Sequence, residues 1–104
     1  MFATIRRYET VDAGRASEIV RKVDRELAPK LSELPGFHGY YLVDAGDGVL
    51  ASIGLFDTPQ HADDSTDIAS RWIGEEQLHT ALPTPPKITR GEIVVEKTSE
   101  LVQA

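Results

Sequence analysis

Three residues of this chain could together bind a flat, acidic organic molecule. Arg7 lies on the first predicted strand, where a guanidinium can hold a carboxylate, phenolate or enolate through paired hydrogen bonds. Tyr41 offers a hydroxyl donor on the second predicted strand, and Trp72, the only tryptophan, offers a ring for stacking and an indole N–H. We predict Arg7, Tyr41 and Trp72 as a candidate ligand pocket and assign no catalytic residue. Each also has a purely structural interpretation, as an ion pair for Arg7 and as packing for the two aromatic residues.

The three histidines are weaker candidates. His38 or His79 could serve as a general base, because imidazole titrates near neutral pH. His61 falls in the first turn of the second predicted helix, where the helix dipole disfavours a protonated ring. The spacings among the histidines are not those of a metal site. The sequence therefore predicts neither a bound metal nor a cofactor.

Composition excludes several other chemistries. The chain contains no cysteine, which removes disulfides, thiolate nucleophiles and cysteine metal sites. Asp63, Asp64 and Asp67 lie in the early turns of a predicted helix, where the dipole favours negative charge, so we interpret them as a solvated helix face. No serine stands in the G-x-S-x-G setting of a hydrolase.

The length and charge of the chain indicate one acidic, soluble domain. It has 104 residues and a formal net charge of −6, from 17 acidic and 11 basic residues. No run of Lys or Arg exceeds two residues, which argues against a nucleic-acid partner. The N-terminus lacks the apolar core of a signal peptide, and no stretch is apolar enough to span a membrane. We expect a cytoplasmic protein with no membrane partner.

The first third of the chain predicts a strand followed by a long helix. Residues 2–9 are rich in β-forming side chains. Asp12 is the best candidate for the helix N-cap, and apolar residues recur at intervals of three or four over residues 16–34. Pro29 lacks a backbone N–H, so we expect it to kink the helix near Arg25 or Glu26.

A β-hairpin should come next. Pro35 and Gly36 end the helix, and the following segments 37–44 and 49–56 are apolar and flank a glycine-rich turn. We predict that Phe37, Tyr41 and the alternate residues between them face the helices.

A second helix and a last strand complete the pattern. Thr58 and Pro59 are a typical helix start, and the helix should continue to about Gly74. An extended proline-rich connector leads to a strand over residues 88–97. We place a single domain at residues 1–98 and a C-terminal tail at 99–104.

The order of elements, βαββαβ, predicts an α+β fold of the ferredoxin-like type, with a four-stranded antiparallel sheet. Right-handed crossovers put the first and third strands in its centre and both helices on one face. Bulky residues occur on both faces of the strands, whereas a sheet with one wet face should alternate more cleanly. We therefore predict a homodimer in which two sheets pack face to face, forming a dimeric α/β barrel.

The chain resembles a known family at several points. The first strand ends Ile5-Arg6-Arg7-Tyr8-Glu9, the long helix runs into Leu34-Pro35-Gly36-Phe37-His38-Gly39-Tyr40-Tyr41, and the third strand ends Leu55-Phe56-Asp57. These segments are similar to the dimeric α/β-barrel superfamily and most of all to its antibiotic-biosynthesis-monooxygenase type. The resemblance extends from Met1 to about Lys97.

The resemblance implies a cavity between sheet and helices in each subunit of a homodimer. Some members oxidise polycyclic aromatic substrates with molecular oxygen and without metal or organic cofactor, and others bind and degrade haem. Haem-degrading members and several cofactor-free monooxygenases use an Asn in the first strand. This chain has no Asn, and Arg7 stands near that position.

Three functions follow as alternatives. The first is a cofactor-independent monooxygenase-like enzyme acting on a flat aromatic or quinone-type small molecule. The second is a non-catalytic dimer that binds a small molecule or acts as an accessory protein. The third, haem binding or degradation, depends on Trp72 and His79, which resemble part of the haem-degrading constellation but lack its Asn.

Overall fold

The computed structural model describes residues 1–99. Four strands form one sheet, and the helical segments lie on one face of it. The elements in chain order are β1 (Phe2–Tyr8), α1 (Ala16–Lys22), α2 (Ala28–Ser32), β2 (Phe37–Gly46), β3 (Val49–Phe56), α3 (Pro59–Glu75) and β4 (Lys87–Glu92). The strand order is β2-β3-β1-β4 and every neighbouring pair is antiparallel. This arrangement confirms the predicted ferredoxin-like fold with the first and third strands in the centre.

The predicted long helix is divided into segments. A short 3₁₀ turn, Ala13–Arg15, begins where the Asp12 carboxylate accepts a hydrogen bond of 3.0 Å from the Gly14 backbone N–H. A π-helical turn, Val23–Leu27, then separates α1 from α2. Because Pro29 has no N–H to donate four residues back, the irregularity falls where the sequence predicts it.

The hairpin turn explains the glycines between β2 and β3. Asp47 and Gly48 have φ values of 52° and 78°, the left-handed conformation required by a tight two-residue hairpin turn. The bounds of β3 agree with the prediction, and β2 extends two residues further than predicted.

The last strand is shorter than predicted. It ends at Glu92, which pairs with Phe2 at the start of β1. Only Ile93 continues the contact, through a backbone hydrogen bond of 2.9 Å to Met1. Within the described part of the chain, residues 93–99 are not assigned to a strand. Of the predicted tail, only Ser99 lies within the described residues.

Helix α3 begins as the sequence predicts. The Thr58 hydroxyl accepts a hydrogen bond of 3.2 Å from the His61 backbone N–H, and Pro59 occupies the first helical position. The residues it buries against the sheet are Ala62, Ser65, Ala69 and Trp72. Within residues 1–99, no helix has the length and apolar character needed to cross a membrane.

The buried faces of β1 and β2 differ from the sequence prediction. On β2, Tyr40 and Leu42 pack against the core, whereas Tyr41 is 59% exposed on the opposite face. The reason is a register shift between Phe37 and Gly39, which adds one residue to β2 and reverses the alternation after it. On β1, Thr4, Arg6 and Tyr8 are buried and Arg7 is exposed. The predicted orientation of Tyr41 towards the helices is therefore wrong, and Arg7 of the predicted pocket likewise lies on the face away from the helices.

Candidate functional site

A small cavity of about 30 Å³ lies between the sheet and the helices. Its walls are mainly aliphatic and come from α1, the π-helical turn, α3 and the central strands, including Ile19, Val23, Leu27, Leu50 and Ile73. Arg6, Tyr8, Tyr40 and Ser52 are also among its lining residues and Trp72 forms part of the wall, but the surface exposed to the cavity is almost entirely apolar. The volume equals roughly that of one water molecule in the liquid. We refer to this space as the interior cavity.

Arg6 is the charged residue of the interior cavity and is only 3% exposed. Its Nε donates to the Ser52 hydroxyl at 3.1 Å, and its Nη1 donates to the Ser65 carbonyl at 3.4 Å. Within residues 1–99, the carboxylates that form ion pairs all pair with other basic groups, and none lies within 4.0 Å of Arg6. A buried guanidinium without a counter-ion is costly. An anionic ligand would supply the missing negative charge.

Two tyrosines surround this cation. Burial raises the pKa of Tyr8 and of Tyr40 above the ordinary value of 10.0, and the charge of Arg6 offsets part of the effect in both. The interactions of its side chain with Ser52 and Arg6 further limit the rise in the pKa of Tyr40. Both phenols are consequently neutral at physiological pH. They can donate hydrogen bonds to an anion held by Arg6.

Trp72 packs as the sequence predicts but uses its N–H differently. The residue is 3% exposed and lines the interior cavity. Its Nε1 donates to the Glu26 carboxylate at 3.3 Å, so the indole N–H is engaged within the protein and is not available to a ligand. Because Glu26 belongs to the π-helical turn, this bond links α3 to the first helical segment across the cavity.

A salt bridge lies close to this link. The Lys22 ammonium and the Glu76 carboxylate are 2.8 Å apart and join α1 to the end of α3. The hydrogen bond between them lowers the pKa of Glu76 and raises the pKa of Lys22. The two connections hold the helices together above the cavity.

An open groove of about 340 Å³ adjoins the interior cavity at the edge of the sheet. Val23, Tyr40 and Leu42 line both spaces. The groove continues along the outer side of α1 and the π-helical turn, where Arg21 and Asp24 contribute charged groups. We call it the edge groove. The shared walls place the edge groove directly beside the interior cavity.

The structure does not bring the three predicted pocket residues together. Trp72 lines the interior cavity, whereas Arg7 and Tyr41 lie on the opposite face of the sheet. The Nε of Arg7 donates to Glu9 at 3.1 Å, which is the structural ion pair considered from the sequence. The cavity is lined instead by the sequence neighbours of Arg7 and Tyr41, which are Arg6 and Tyr40.

The histidines lie outside the interior cavity. His38 pairs with Asp57 through Nε2, and this hydrogen bond lowers the pKa of Asp57. His79 is exposed in a 3₁₀ turn after α3, as predicted, but lines a different space from Trp72. No group of three or more acidic, His or Cys side chains within residues 1–99 is placed to hold a metal ion.

The arrangement determines which chemistry the interior cavity can support. Among the described residues, those that line it include the cationic Arg6 and the neutral phenols Tyr8 and Tyr40, but no carboxylate or imidazole. Such a site can stabilise an organic anion and thereby favour the loss of a proton from the neutral parent molecule. It offers no conventional base to accept that proton. Sequence reasoning passed over Arg6, although the alternation of Thr4, Arg6 and Tyr8 contained the signal: a basic residue between two polar or aromatic ones on one face.

The fold is shared with solved structures of related architecture. A monooxygenase from the gene ActVA-Orf6 of Streptomyces coelicolor, in complex with the ligand Nanaomycin D, is 16% identical with a TM-score of 0.72, and the match covers 94% of this chain and 91% of that one. A dimeric ferredoxin-like protein from an uncultured marine organism is 14% identical with a TM-score of 0.70, over 94% and 91%. An antibiotic biosynthesis monooxygenase is 20% identical with a TM-score of 0.68, over 91% and 100%.

These likenesses establish the fold of this chain. They agree with the sequence resemblance to antibiotic-biosynthesis-monooxygenase-like proteins of the ferredoxin-like fold. No protein-family model matches the sequence, and no curated protein matches it significantly.

Proposed function

We propose that this protein is a cofactor-independent, monooxygenase-like enzyme that acts on a flat, acidic aromatic or quinol-type molecule. The observation that carries the proposal is the buried Arg6 guanidinium, which has no carboxylate partner within residues 1–99 and lines a cavity beside an accessible groove. The shared fold with monooxygenases supports the same class of reaction.

The chemistry follows from the charge of the site. A phenol or a CH₂ group between aryl rings loses a proton to water more readily when Arg6 stabilises the resulting anion. The electron-rich anion then reduces molecular oxygen, and a carbon–oxygen bond forms to give a peroxide. Loss of water from that peroxide leaves a carbonyl group, so the organic molecule gains one oxygen atom and the other leaves as water. Neutral Tyr8 and Tyr40 donate hydrogen bonds to the anion throughout.

The enzyme would act as a homodimer formed through the outer face of the sheet. Ile5, Ile53 and Tyr41 stand in one row across three strands of this face. Val43 adds a further exposed apolar side chain beside them. A second copy of the sheet would cover the row and bury its apolar area. The cytoplasmic location expected from the sequence belongs to the same proposal.

A second function, non-catalytic binding of the same class of molecule, is favoured by one specific feature. The interior cavity contains no carboxylate or imidazole to accept a proton, and its volume is about 30 Å³. A flat aromatic ligand can enter only if the side chains between the edge groove and the cavity move apart. A protein that only binds such ligands would need the cation and the groove but no base.

The two functions are separated by oxygen uptake and ligand binding measured in parallel. Purified protein is mixed with anthrone or a naphthohydroquinone, and oxygen consumption is compared for the wild type, Arg6→Met and Arg7→Met. The enzyme proposal requires turnover that Arg6→Met abolishes and Arg7→Met retains. Binding without oxygen uptake would favour the non-catalytic function. Binding that is equally strong in Arg6→Met would contradict both.

A further inference from the structure

A second groove also adjoins the interior cavity. It is lined by none of the residues that the edge groove shares with that cavity. It has a volume of about 250 Å³ and runs between α3 and the connector 83–86, with Ser70 and His79 among its exposed residues. Tyr8, Ile73 and Leu82 line both this groove and the interior cavity. We call it the proline groove.

We infer that the ligand of this protein is elongated, with an acidic aromatic head beside Arg6 and an apolar tail in the proline groove. The inference rests on the proposed function, since it concerns the ligand of the same site. The interior cavity is then the narrow middle of a longer space, bounded by Val23, Tyr40 and Leu42 on one side and by Tyr8, Ile73 and Leu82 on the other.

The chemistry of the proline groove selects an apolar tail. Pro83, Pro85 and Pro86 form one wall with rigid rings, and Ile73 and Leu82 supply aliphatic surface at its inner end. Of the residues that the structure describes, no Asp, Glu, Lys or Arg lines it. The Thr84 hydroxyl is hydrogen-bonded to Thr10 at 2.6 Å, so part of the polar lining is already engaged. An alkyl chain or an aryl substituent fits these walls better than a charged group.

The tail and the head would have separate roles in binding. Transfer of each methylene from water to an apolar site contributes about 0.8 kcal/mol, or roughly fourfold in affinity. A tail of four carbons therefore supplies binding energy remote from the reacting group. Arg6 then orients the acidic head, since it is the charged group of the interior cavity.

Calorimetric titration with two probes tests the inference. The probes are 2-naphthol and 6-butyl-2-naphthol, which share a head and differ only in the tail. We expect the butyl compound to bind at least about tenfold more tightly to the wild type. Ser70→Phe fills the proline groove and should remove most of that advantage while changing the affinity for 2-naphthol by less than about twofold. Ser17→Phe, the same substitution on an exposed position of α1, should leave both affinities unchanged.

The outcomes separate this inference from the proposed function. Equal affinities of the two probes for the wild type would overturn the tail site, and so would an equal loss of both in Ser70→Phe. An affinity for 2-naphthol that is the same in Arg6→Met would instead contradict the proposed function. If Ser70→Phe does not fold, NMR contacts between the butyl group and the Ile73 and Leu82 methyls decide the question in the wild type, and their absence counts against the tail site.

Discussion

Arg6 and Ser52 are opposite each other on the neighbouring strands β1 and β3, and the Arg6 Nε donates to the Ser52 hydroxyl at 3.1 Å. Both residues are almost fully buried on the helix side of the sheet. The bond satisfies one donor of the guanidinium and fixes its position, but it does not neutralise its charge. A buried cation held only by neutral acceptors is poorly suited to stability and well suited to binding an anion.

The free-energy cost of burying the Arg6 charge leads to the first prediction. Arg6→Met replaces the cation with an apolar side chain of similar length, and we expect the free energy of unfolding to rise by about 1–2 kcal/mol. Urea denaturation measures the change. Arg7→Met is the matched control on the opposite face of the sheet, where the exposed pair with Glu9 should contribute little to stability. A loss of stability above about 2 kcal/mol in Arg6→Met would mean that the guanidinium is a structural group.

Because of the two cavity tyrosines, we predict that the free energy of unfolding decreases at alkaline pH. Burial raises the pKa of Tyr8 and Tyr40 above 10.0, so their neutral forms are favoured in the folded state. Their contribution is fully present below pH 10 and is lost as the pH rises through the folded-state pKa values. Tyrosinate absorbance should show a late-titrating component that the double variant Tyr8→Phe/Tyr40→Phe lacks. A wild-type curve that differs from the variant's only in amplitude, without a late-titrating component, would show that these phenols ionise in the ordinary range.

The outer face of the sheet predicts an effect on assembly. Ile53 lies between Ile5 and Tyr41 in the central row of that face, and Ile53→Asp would bury a carboxylate in the proposed dimer interface. Sedimentation at micromolar concentration should show dimers for the wild type and monomers for Ile53→Asp. Ile88→Asp is the control, since Ile88 pairs with Arg6 and so lies on the other face, and it is already 48% exposed. A wild type that sediments as a folded monomer would contradict the dimer.

At Gly36, we expect the addition of a single methyl group to have a large effect on stability. Its φ is 74°, and a Cβ at this position would lie 2.2 Å from the Nδ1 of His61. We expect Gly36→Ala to lower the free energy of unfolding by about 2–3 kcal/mol, from backbone strain and the clash together. The double variant Gly36→Ala/His61→Ala, compared with His61→Ala alone, should show a smaller loss because only the strain is left. An equal loss in both backgrounds would show that the clash contributes nothing.

The sequence predicted the topology because its signals were local and consistent. The capping pattern at Thr58, the glycine-rich turn at Gly48 and the extent of β3 are each determined by neighbouring residues, and all are present in the structure. Pro29 similarly located the irregularity in the first helical region.

The candidate site was harder to predict because it depends on which face of each strand is buried. Ile5 and Tyr8 both suggest burial although they lie on opposite faces of β1, since the outer face of this sheet is also apolar. On β2, the bulge at His38 reverses the alternation, and Gly39 beside it is the local signal of a bulge that the sequence offered. Because of these two effects, the sequence predicted Arg7 and Tyr41 as pocket residues, whereas their neighbours Arg6 and Tyr40 line the interior cavity.

The ionisation of a bound phenol tests the role of Arg6 most directly. The two forms of 4-nitrophenol absorb at different wavelengths, so its pKa can be measured by absorbance when it is bound and when it is free. We predict that binding to the wild type lowers this pKa by about 1–3 units, because the Arg6 cation favours the phenolate. Arg7→Met should keep the shift, and Arg6→Met should abolish it. A bound phenol whose pKa is unchanged or raised in the wild type would contradict the account.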